Sequence, residues 1–235
     1  MTEVVIVCAS QESNQDNTLL GRSYHKGRSY ETCMYDIHYA LDFVANNKQG
    51  LAELYNSKID EYSDVDYIVF AHDDISIEDV EVYQKVVKAI GDDSEYAICG
   101  VAGNSKCKVG EKNLWHLMGD RDSMSGAVAH YTGKDDTECS MTNFGVTPKR
   151  VVMLDGVFLA INVKKVREAG VRFDESYPSK FHFYDIDFCL EANKAGLKMT
   201  TYPIWIVHKS HGLSDINNKE WANGNKYFYN KWKTR

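Results

Sequence analysis

The 235-residue chain has the length of one α/β domain, with at most an appended subdomain, and its 43% apolar and 26% charged residues exclude disordered and membrane classes. Its formal net charge of -7 argues against nucleic acid as a partner, because contacts to a phosphate backbone need a basic surface. An acidic protein can still bind a nucleotide diphosphate when a divalent cation lies between the two sets of charges.

The first half of the chain alternates predicted strands with predicted helices. Strands are predicted at residues 4–9, 37–44, 67–71 and 96–101, and a short helix at 50–56. A second helix is expected to begin in a capping box formed by Ser76 and Asp79 and to end at Gly91. This alternation predicts a central, mostly parallel sheet with helices on its faces.

The second half begins with a different pattern. Residues 103–150 are glycine-dotted and weakly periodic, which indicates functional loops or a small hairpin insertion. Strands then follow at 151–154, 157–161 and 197–207, with helices that end at Gly170 and Gly196. With three prolines and no linker-like stretch, we expect a single domain over 1–235, whose halves are 1–102 and 103–235.

The cysteines and the chain's hydropathy bear on where the protein works. No apolar run approaches the roughly 20 residues that span a bilayer, and the chain enters a strand at residue 4 without a leader segment. The cysteines form no C-x-x-C pair, and three of them, Cys8, Cys99 and Cys189, lie in apolar runs; the others are Cys33, Cys107 and Cys139. We therefore expect reduced thiols in a cytoplasmic protein without a transmembrane segment.

An acidic cluster, His72-Asp73-Asp74, directly follows the third predicted strand. It would lie at the carboxyl edge of the sheet, where α/β proteins bind ligands, and residues 72 and 74 would project to one side of an extended chain and 73 to the other. A magnesium or manganese ion needs only one or two protein carboxylates beside phosphate oxygens. The alternative is a solvated acidic turn before a helix.

Two further groups could carry chemistry. Asp185 and Asp187 stand at a predicted helix start, where one of them could act as a general base or both could simply favour the helix N-terminus. His208 and His211 follow the last predicted strand, and neutral imidazole is a good ligand for manganese, although such a pair in a loop often has no metal role.

Six short segments in one order resemble the nucleotide-diphospho-sugar glycosyltransferases of the GT-A fold, specifically the family-2-like inverting group. The match covers most of the chain and includes the strand with its D-x-D-like end, the F-D-E segment and the segment that contains the base. The segments are 4–7, 47–56, 67–74, 154–161, 173–175 and 184–190, the last followed by Ala195-Gly196.

The resemblance implies a single Rossmann-related GT-A domain that transfers a sugar from a nucleotide-sugar donor with inversion, with Mn2+ or Mg2+ as cofactor. By position, Asp74 would bind the metal and Asp73 the ribose or the metal's water shell, while Asp185 would be the catalytic base. The remaining site residues implied are His72, His208 and His211 at the metal, and Ser10 and Asn47 near the nucleoside.

The sequence departs from this pattern at two positions. His72 stands where the family has the first aspartate of D-x-D, and Tyr184 stands where a glutamate usually precedes the base. These departures leave metal preference and acceptor geometry open. They also keep open a metal-dependent phosphoesterase or nucleotidyltransferase, and a sugar-nucleotide or glycan-binding module without turnover.

The acceptor and the oligomeric state are not implied by the sequence; a glycan, a lipid-linked sugar or a protein would fit. Trp115 and His116 could line an acceptor pocket, or the tryptophan could pack under a loop. The aromatic and basic residues of 226–235 could contact a membrane surface peripherally, but a C-terminal helix that docks its aromatics on the domain is the favoured interpretation.

Overall fold

A seven-stranded sheet forms the centre of the computed structural model, which describes residues 2–24, 37–132, 137–209 and 218–233. The strands are β1 (Thr2–Ala9), β2 (Ile37–Val44), β3 (Tyr67–Ala71), β4 (Ile75–Ile77), β5 (Tyr96–Gly100), β6 (Ala102–Asn104), β7 (Met124–Tyr131), β8 (Cys139–Gly145), β9 (Lys149–Val151), β10 (Met153–Leu154), β11 (Phe158–Asn162), β12 (Lys198–Thr201) and β13 (Ile206–His208). The helices are α1 (Leu51–Glu61), α2 (Val82–Ile90), α3 (Val163–Glu168), α4 (Tyr184–Lys194) and α5 (Lys219–Trp232).

The central sheet has the order β2-β1-β3-β11-β5-β12-β9, in which β11 and β9 run against the other strands. Every residue of β3 and of β11 is buried, which is why both read as continuous apolar runs in the sequence. The predicted mixed α/β class with a mostly parallel sheet is therefore confirmed. The strand β11 from the second half of the chain lies between two strands from the first half.

A second sheet occupies much of the region predicted as loops or a hairpin. Its order is β10-β6-β7-β13-β4, and β8 pairs with β7 as an antiparallel hairpin. The predicted last strand, 197–207, is in fact two strands: β12 belongs to the central sheet and β13 to the second sheet, with Pro203 between them. Proline cannot donate to a sheet ladder, so it suits the point where the chain leaves one sheet for the other.

The predicted capping box at Ser76 and Asp79 is wrong. Ser76 lies in β4, which pairs antiparallel with β13, and its hydroxyl donates to Glu78 at 2.5 Å. The following helix begins later, at Val82, without a side-chain cap. Pairing with β13 buries Ile75 completely, and this tertiary contact overrides the local helix signal.

The C-terminal helix α5 docks on the domain, as favoured from the sequence. Trp221, Phe228 and Trp232 are buried along it. Among the described residues no helix combines the length and the apolar character needed to cross a membrane. The described cysteines are free thiols, and Cys8, Cys99 and Cys189 are buried as expected.

Helices α4 and α5 are joined through the buried carboxylate of Asp187. This carboxylate accepts hydrogen bonds from Tyr177 Oη at 2.8 Å and Trp232 Nε1 at 2.8 Å, and it pairs with Lys231 Nζ at 2.9 Å. Desolvation raises the pKa of Asp187, although Lys231 and these donors act in the opposite direction. Asp187 is therefore a structural residue of the helix pair.

Replacing Asp187 with Ala should lower the free energy of unfolding by about 3 kcal/mol, because it leaves Trp232 Nε1–H and the Tyr177 hydroxyl without this acceptor and removes the most buried of the three carboxylates that pair with Lys231. Urea denaturation measures the change. Glu95→Ala is the matched control, since the pair of Glu95 with Lys198 lies on the surface and its loss should leave the unfolding midpoint almost unchanged. Equal effects of the two substitutions would contradict the structural role of Asp187.

Candidate active site

The polar residues after β3 lie where the carboxyl end of the central sheet meets the second sheet. His72 and Asp74 face one group of residues and Asp73 faces another, although residues 73 and 74 form a turn and do not continue the strand. Asp73 accepts a hydrogen bond from Ser10 Oγ at 2.5 Å, at the end of β1. The segment therefore faces two different groups of residues.

On one side, His72, Asp74 and His208 form a cluster whose potential ligand atoms all lie within 4.8 Å of one another. His208 Nε2 is 3.2 Å from Asp74 Oδ2, and His72 Nδ1 is 3.8 Å from Asp74 Oδ1. Pairing of β13 with β4 places His208 opposite Ile75, the residue after Asp74, and so explains how residues so far apart in sequence meet. His211, the fourth predicted metal residue, lies outside the described residues.

The electrostatics of this cluster favour an ionised carboxylate. Burial alone would raise the pKa of Asp74, but the hydrogen bond from His208 and the nearby imidazoles outweigh it, so the net shift is downward. Burial lowers the pKa of His208, and its bond to Asp74 more than compensates, so the net shift is upward. Asp74 Oδ1 is buried and has no hydrogen-bond partner among the described residues.

Asp185 lies at the start of α4 and is only partly exposed. Its Oδ2 accepts a hydrogen bond from the Gly156 backbone N–H at 2.9 Å. Desolvation, and next the neighbouring charge of Asp155, raise the pKa of Asp185 to about 6, against the lowering effect of backbone N–H groups at Ile186 and Gly156. A carboxyl group with this pKa is suited to accept a proton near neutral pH.

The residue that precedes α4 has a strained backbone. Phe183 has φ of 70°, in the left-handed region that a bulky residue rarely adopts, and such a conformation costs about 1–3 kcal/mol. Its ring is held by Trp221 and Phe228 of α5, at ring-centroid distances of 5.4 and 5.8 Å. This packing sets the direction in which the chain enters α4 and so places Tyr184 and Asp185.

Two cavities meet at this site. The larger, of about 410 Å³, is lined by residues of the second sheet, of α4 and α5, and of the loops between elements, and they include His72, His208, Asp155, Asp185, Trp115, Phe144, Phe181 and Trp221. The smaller, of about 190 Å³, is lined by Ser10, Asn47, Leu51, Tyr55 and Asp73, and it shares His72 and Phe181 with the first. The carboxylate predicted as base and the two histidines beside Asp74 thus face one cavity, while Ser10, Asn47 and Asp73 face the other.

Sequence reasoning missed two residues of the larger cavity. Asp155 accepts hydrogen bonds from Trp115 Nε1 at 2.9 Å and from the Val157 backbone N–H at 3.2 Å. His130 lies with its ring centroid 5.8 Å from that of His208. Asp155 lies within the segment 154–161 that resembles the family, so it could have been found as an acidic residue shortly before a predicted strand. No local pattern in the sequence marks His130. Trp115 is buried and also lines this cavity.

A family model described as a glycosyltransferase-like family matches residues 22–232, nearly the whole chain. The chain belongs to this glycosyltransferase-like family. The resemblance inferred from the sequence is thereby confirmed. No curated protein sequence matches the chain significantly.

The glycosyltransferase-like chain shares its fold with solved structures of low sequence identity. GalNAc-T7 with UDP, GalNAc and Mn2+ is similar at a TM-score of 0.58 and 11% identity, over 97% of this chain and 47% of that one. The mannosyltransferase PcManGT from Pyrobaculum calidifontis, in complex with GDP-Man and Mn2+, is similar at a TM-score of 0.50 and 10% identity, over 90% of this chain and 58% of that one. The chain thus spans only about half the length of these structures. Their likeness confirms the GT-A fold.

Gly156 is required at the site by close packing. A Cβ at this position would lie 2.4 Å from Tyr184 Oη and 2.8 Å from Asp185 Cβ. Gly156→Ala should therefore displace Tyr184 and Asp185 and lower the free energy of unfolding by about 1–3 kcal/mol through overpacking. Urea denaturation and a crystal structure of the variant measure both effects.

Gly110→Ala is the control for that experiment, because a Cβ at Gly110 meets nothing within 4 Å. It should leave the unfolding midpoint unchanged. If Gly156→Ala changed the unfolding midpoint no more than Gly110→Ala does, the close packing of α4 against Gly156 would be contradicted.

Proposed function

We propose that the chain transfers a sugar from a nucleotide-diphosphate-sugar to an acceptor hydroxyl, with inversion, and that His72, Asp74 and His208 hold a divalent cation, Mn2+ or Mg2+. One observation carries the proposal: a single cavity is lined by the two imidazoles that flank Asp74 and by Asp185, whose pKa is about 6. Membership of the glycosyltransferase-like family supports the reaction class. GalNAc-T7, which shares the fold, was solved with UDP, GalNAc and Mn2+.

The residues present fit a divalent cation. Asp74 Oδ1 is a buried carboxylate oxygen without a partner among the described residues, and such an atom is costly unless a cation or donor satisfies it. Two imidazole nitrogens and a carboxylate form a donor set that suits manganese, and they leave coordination positions for phosphate oxygens and water.

The charge of the site also supports a cation-dependent donor. Asp73, Asp155 and Asp185 line the two cavities, Asp74 lies next to them in the cluster with His72 and His208, and none of the described residues that line either cavity is Lys or Arg. A diphosphate would be repelled by this surface without a counter-charge. When bound, the cation would offset the charge that develops on the departing nucleotide diphosphate.

The smaller cavity is assigned to the nucleoside part of the donor. Asp73 can accept a hydrogen bond from a ribose hydroxyl, and Ser10 Oγ holds the carboxylate in place. Leu51 and Tyr55 provide an apolar wall for the nucleobase of the donor. The Asn47 side chain is engaged in a local turn with the backbone of Gln49, at 3.1 and 3.2 Å, so it shapes the cavity wall.

The acceptor is assigned to the larger cavity. Its aromatic walls, Trp115 and Phe144 among them, can pack against the apolar faces of a sugar ring. Asp185 removes the proton from the attacking hydroxyl, and Asp155 accepts a hydrogen bond from another hydroxyl of the substrate. Attack by the acceptor directly on the anomeric carbon, opposite the leaving diphosphate, inverts that centre.

The free thiols of the described residues fit a cytoplasmic protein.

Asp74→Asn should weaken the binding of Mn2+ alone by roughly tenfold or more, because it removes the negative ligand of the proposed site. Electron paramagnetic resonance of free Mn2+ during a titration measures the affinity. Asp73→Asn removes the same charge one position away, where the side chain faces Ser10, and it should leave Mn2+ affinity within about twofold. Equal loss of Mn2+ affinity in both variants would contradict the assignment of Asp74 as a metal ligand.

Asp185→Asn should lower kcat for sugar transfer by about 10²–10⁴-fold while donor binding persists, because the amide cannot take the acceptor's proton. A panel of nucleotide-sugars, screened by thermal shift with and without Mn2+, identifies the donor for this assay.

In the unmodified enzyme kcat/KM should rise with pH through about 6, since the ionised carboxylate of Asp185 is the active form and predominates above its pKa.

The same assay separates the competing functions. A phosphoesterase would release phosphate or nucleotide at an undiminished rate without a sugar acceptor. A binding module without turnover would bind the donor, and Asp185→Asn would change nothing. Nuclear magnetic resonance of the product's anomeric proton tests inversion directly.

A further inference from the structure

His72 and Tyr184, the two positions at which the sequence departs from the family pattern, are in direct contact. His72 Nε2 lies 2.9 Å from Tyr184 Oη, although the residues are 112 positions apart. The Tyr184 hydroxyl is also 3.1 Å from the carbonyl oxygen of Gly156. The ring of Tyr184 is buried, with an edge-on contact to Tyr55 at 5.5 Å between centroids, so the hydroxyl is held in place.

The hydrogen-bond capacities of these groups fix the direction of each bond. A carbonyl oxygen can only accept, so the Tyr184 hydroxyl donates its one proton to Gly156. The same hydroxyl then has only lone pairs left for His72. The contact of 2.9 Å therefore requires His72 to donate from Nε2–H.

The other ring nitrogen of His72 follows from this assignment. In a neutral imidazole that is protonated on Nε2, Nδ1 carries a lone pair. Nδ1 lies 3.8 Å from Asp74 Oδ1, which is too long for a hydrogen bond, and Oδ1 has no partner among the described residues. A nitrogen lone pair and a carboxylate oxygen thus lie close together with no proton between them, an arrangement that a cation would satisfy.

We propose that Tyr184 is a positioning residue that holds His72 in its Nε2–H tautomer, so that Nδ1 binds the divalent cation beside Asp74 and His208. This role rests on the proposed function, because it concerns the same metal site. Residues around a metal commonly fix a histidine ligand in this way, by accepting a hydrogen bond from the N–H of its other ring nitrogen.

The proposed role also connects the metal with the base. Gly156 accepts from the Tyr184 hydroxyl through its carbonyl and donates to Asp185 through its N–H, at 2.9 Å. Tyr184 and Asp185 are consecutive residues at the start of α4. One glycine therefore sets the distance between the His72 side of the cavity and the carboxylate that receives the acceptor's proton.

Tyr184→Phe should weaken the binding of Mn2+ alone by about 10–100-fold, because His72 loses the group that selects its tautomer. The titration is repeated in a His72→Asp background, where a carboxylate ligand needs no tautomer. There, Tyr184→Phe should change Mn2+ affinity by less than about twofold. Circular dichroism and thermal melting confirm that each variant is folded.

A second measurement needs no metal. In long-range ¹H–¹⁵N spectra of the metal-free protein, His72 should show a protonated Nε2 and an unprotonated Nδ1. Tyr184→Phe should give a mixture of the two tautomers of His72. His130, which makes no hydrogen bond to Tyr184, is the control, and its tautomer should be the same with and without the substitution.

Each result decides the proposal. Equal weakening by Tyr184→Phe with His72 or with Asp at position 72 would mean that Tyr184 acts only through the fold, and would overturn it. A protonated Nδ1 on His72 in the unmodified protein would also overturn it, while leaving a metal site on Asp74 and His208 and hence the proposed function intact. If the unmodified protein bound no Mn2+, either alone or with the donor, the proposed function itself would fail.

Discussion

The antiparallel pairing of β13 with β4 is the contact on which the site depends. It sets His208 opposite Ile75 and so brings an imidazole from the last strand beside the carboxylate that follows β3. Without this register the acidic segment would be an exposed turn, as the alternative interpretation of the sequence had it. The same pairing accounts for the failure of the predicted capping box, because Ser76 and its neighbours are held in a strand rather than released into a helix.

The other half of the site depends on how α4 approaches β11. Phe183 in its left-handed conformation, held by the aromatic residues of α5, directs Tyr184 and Asp185 toward Gly156. Only a glycine permits this approach, since a Cβ would overlap with both side chains. Asp185 and Asp187 consequently have different roles although they are two residues apart: one reaches the cavity, and the other is sealed between α4 and α5.

The sequence predicted the features that local patterns encode. Continuous apolar runs located β3 and β11, and Gly91, Gly170 and Gly196 correctly marked helix ends. Pro203 marks a break within 197–207, but the sequence could not predict that its two parts join different sheets, because their partner strands are set by tertiary contacts that no local pattern encodes. For the same reason the contact between His72 and Tyr184 was invisible: each residue looked like an isolated departure, and nothing local to either position indicates that they meet.

A histidine at position 72 has an electrostatic consequence for the proposed site. Asp73, Asp155 and Asp185 line the two cavities and Asp74 lies beside His72, so a further aspartate in place of His72 would add another negative charge close to the diphosphate. A neutral imidazole supplies a ligand without that charge, so a bound cation would retain more of its own positive charge for the phosphates. Imidazole also shifts preference from magnesium toward manganese. A neutral imidazole can act in this way only if the lone pair of one nitrogen faces the cation, and in the proposed arrangement the Tyr184 hydroxyl ensures this by accepting a hydrogen bond from the N–H on the far side of the ring.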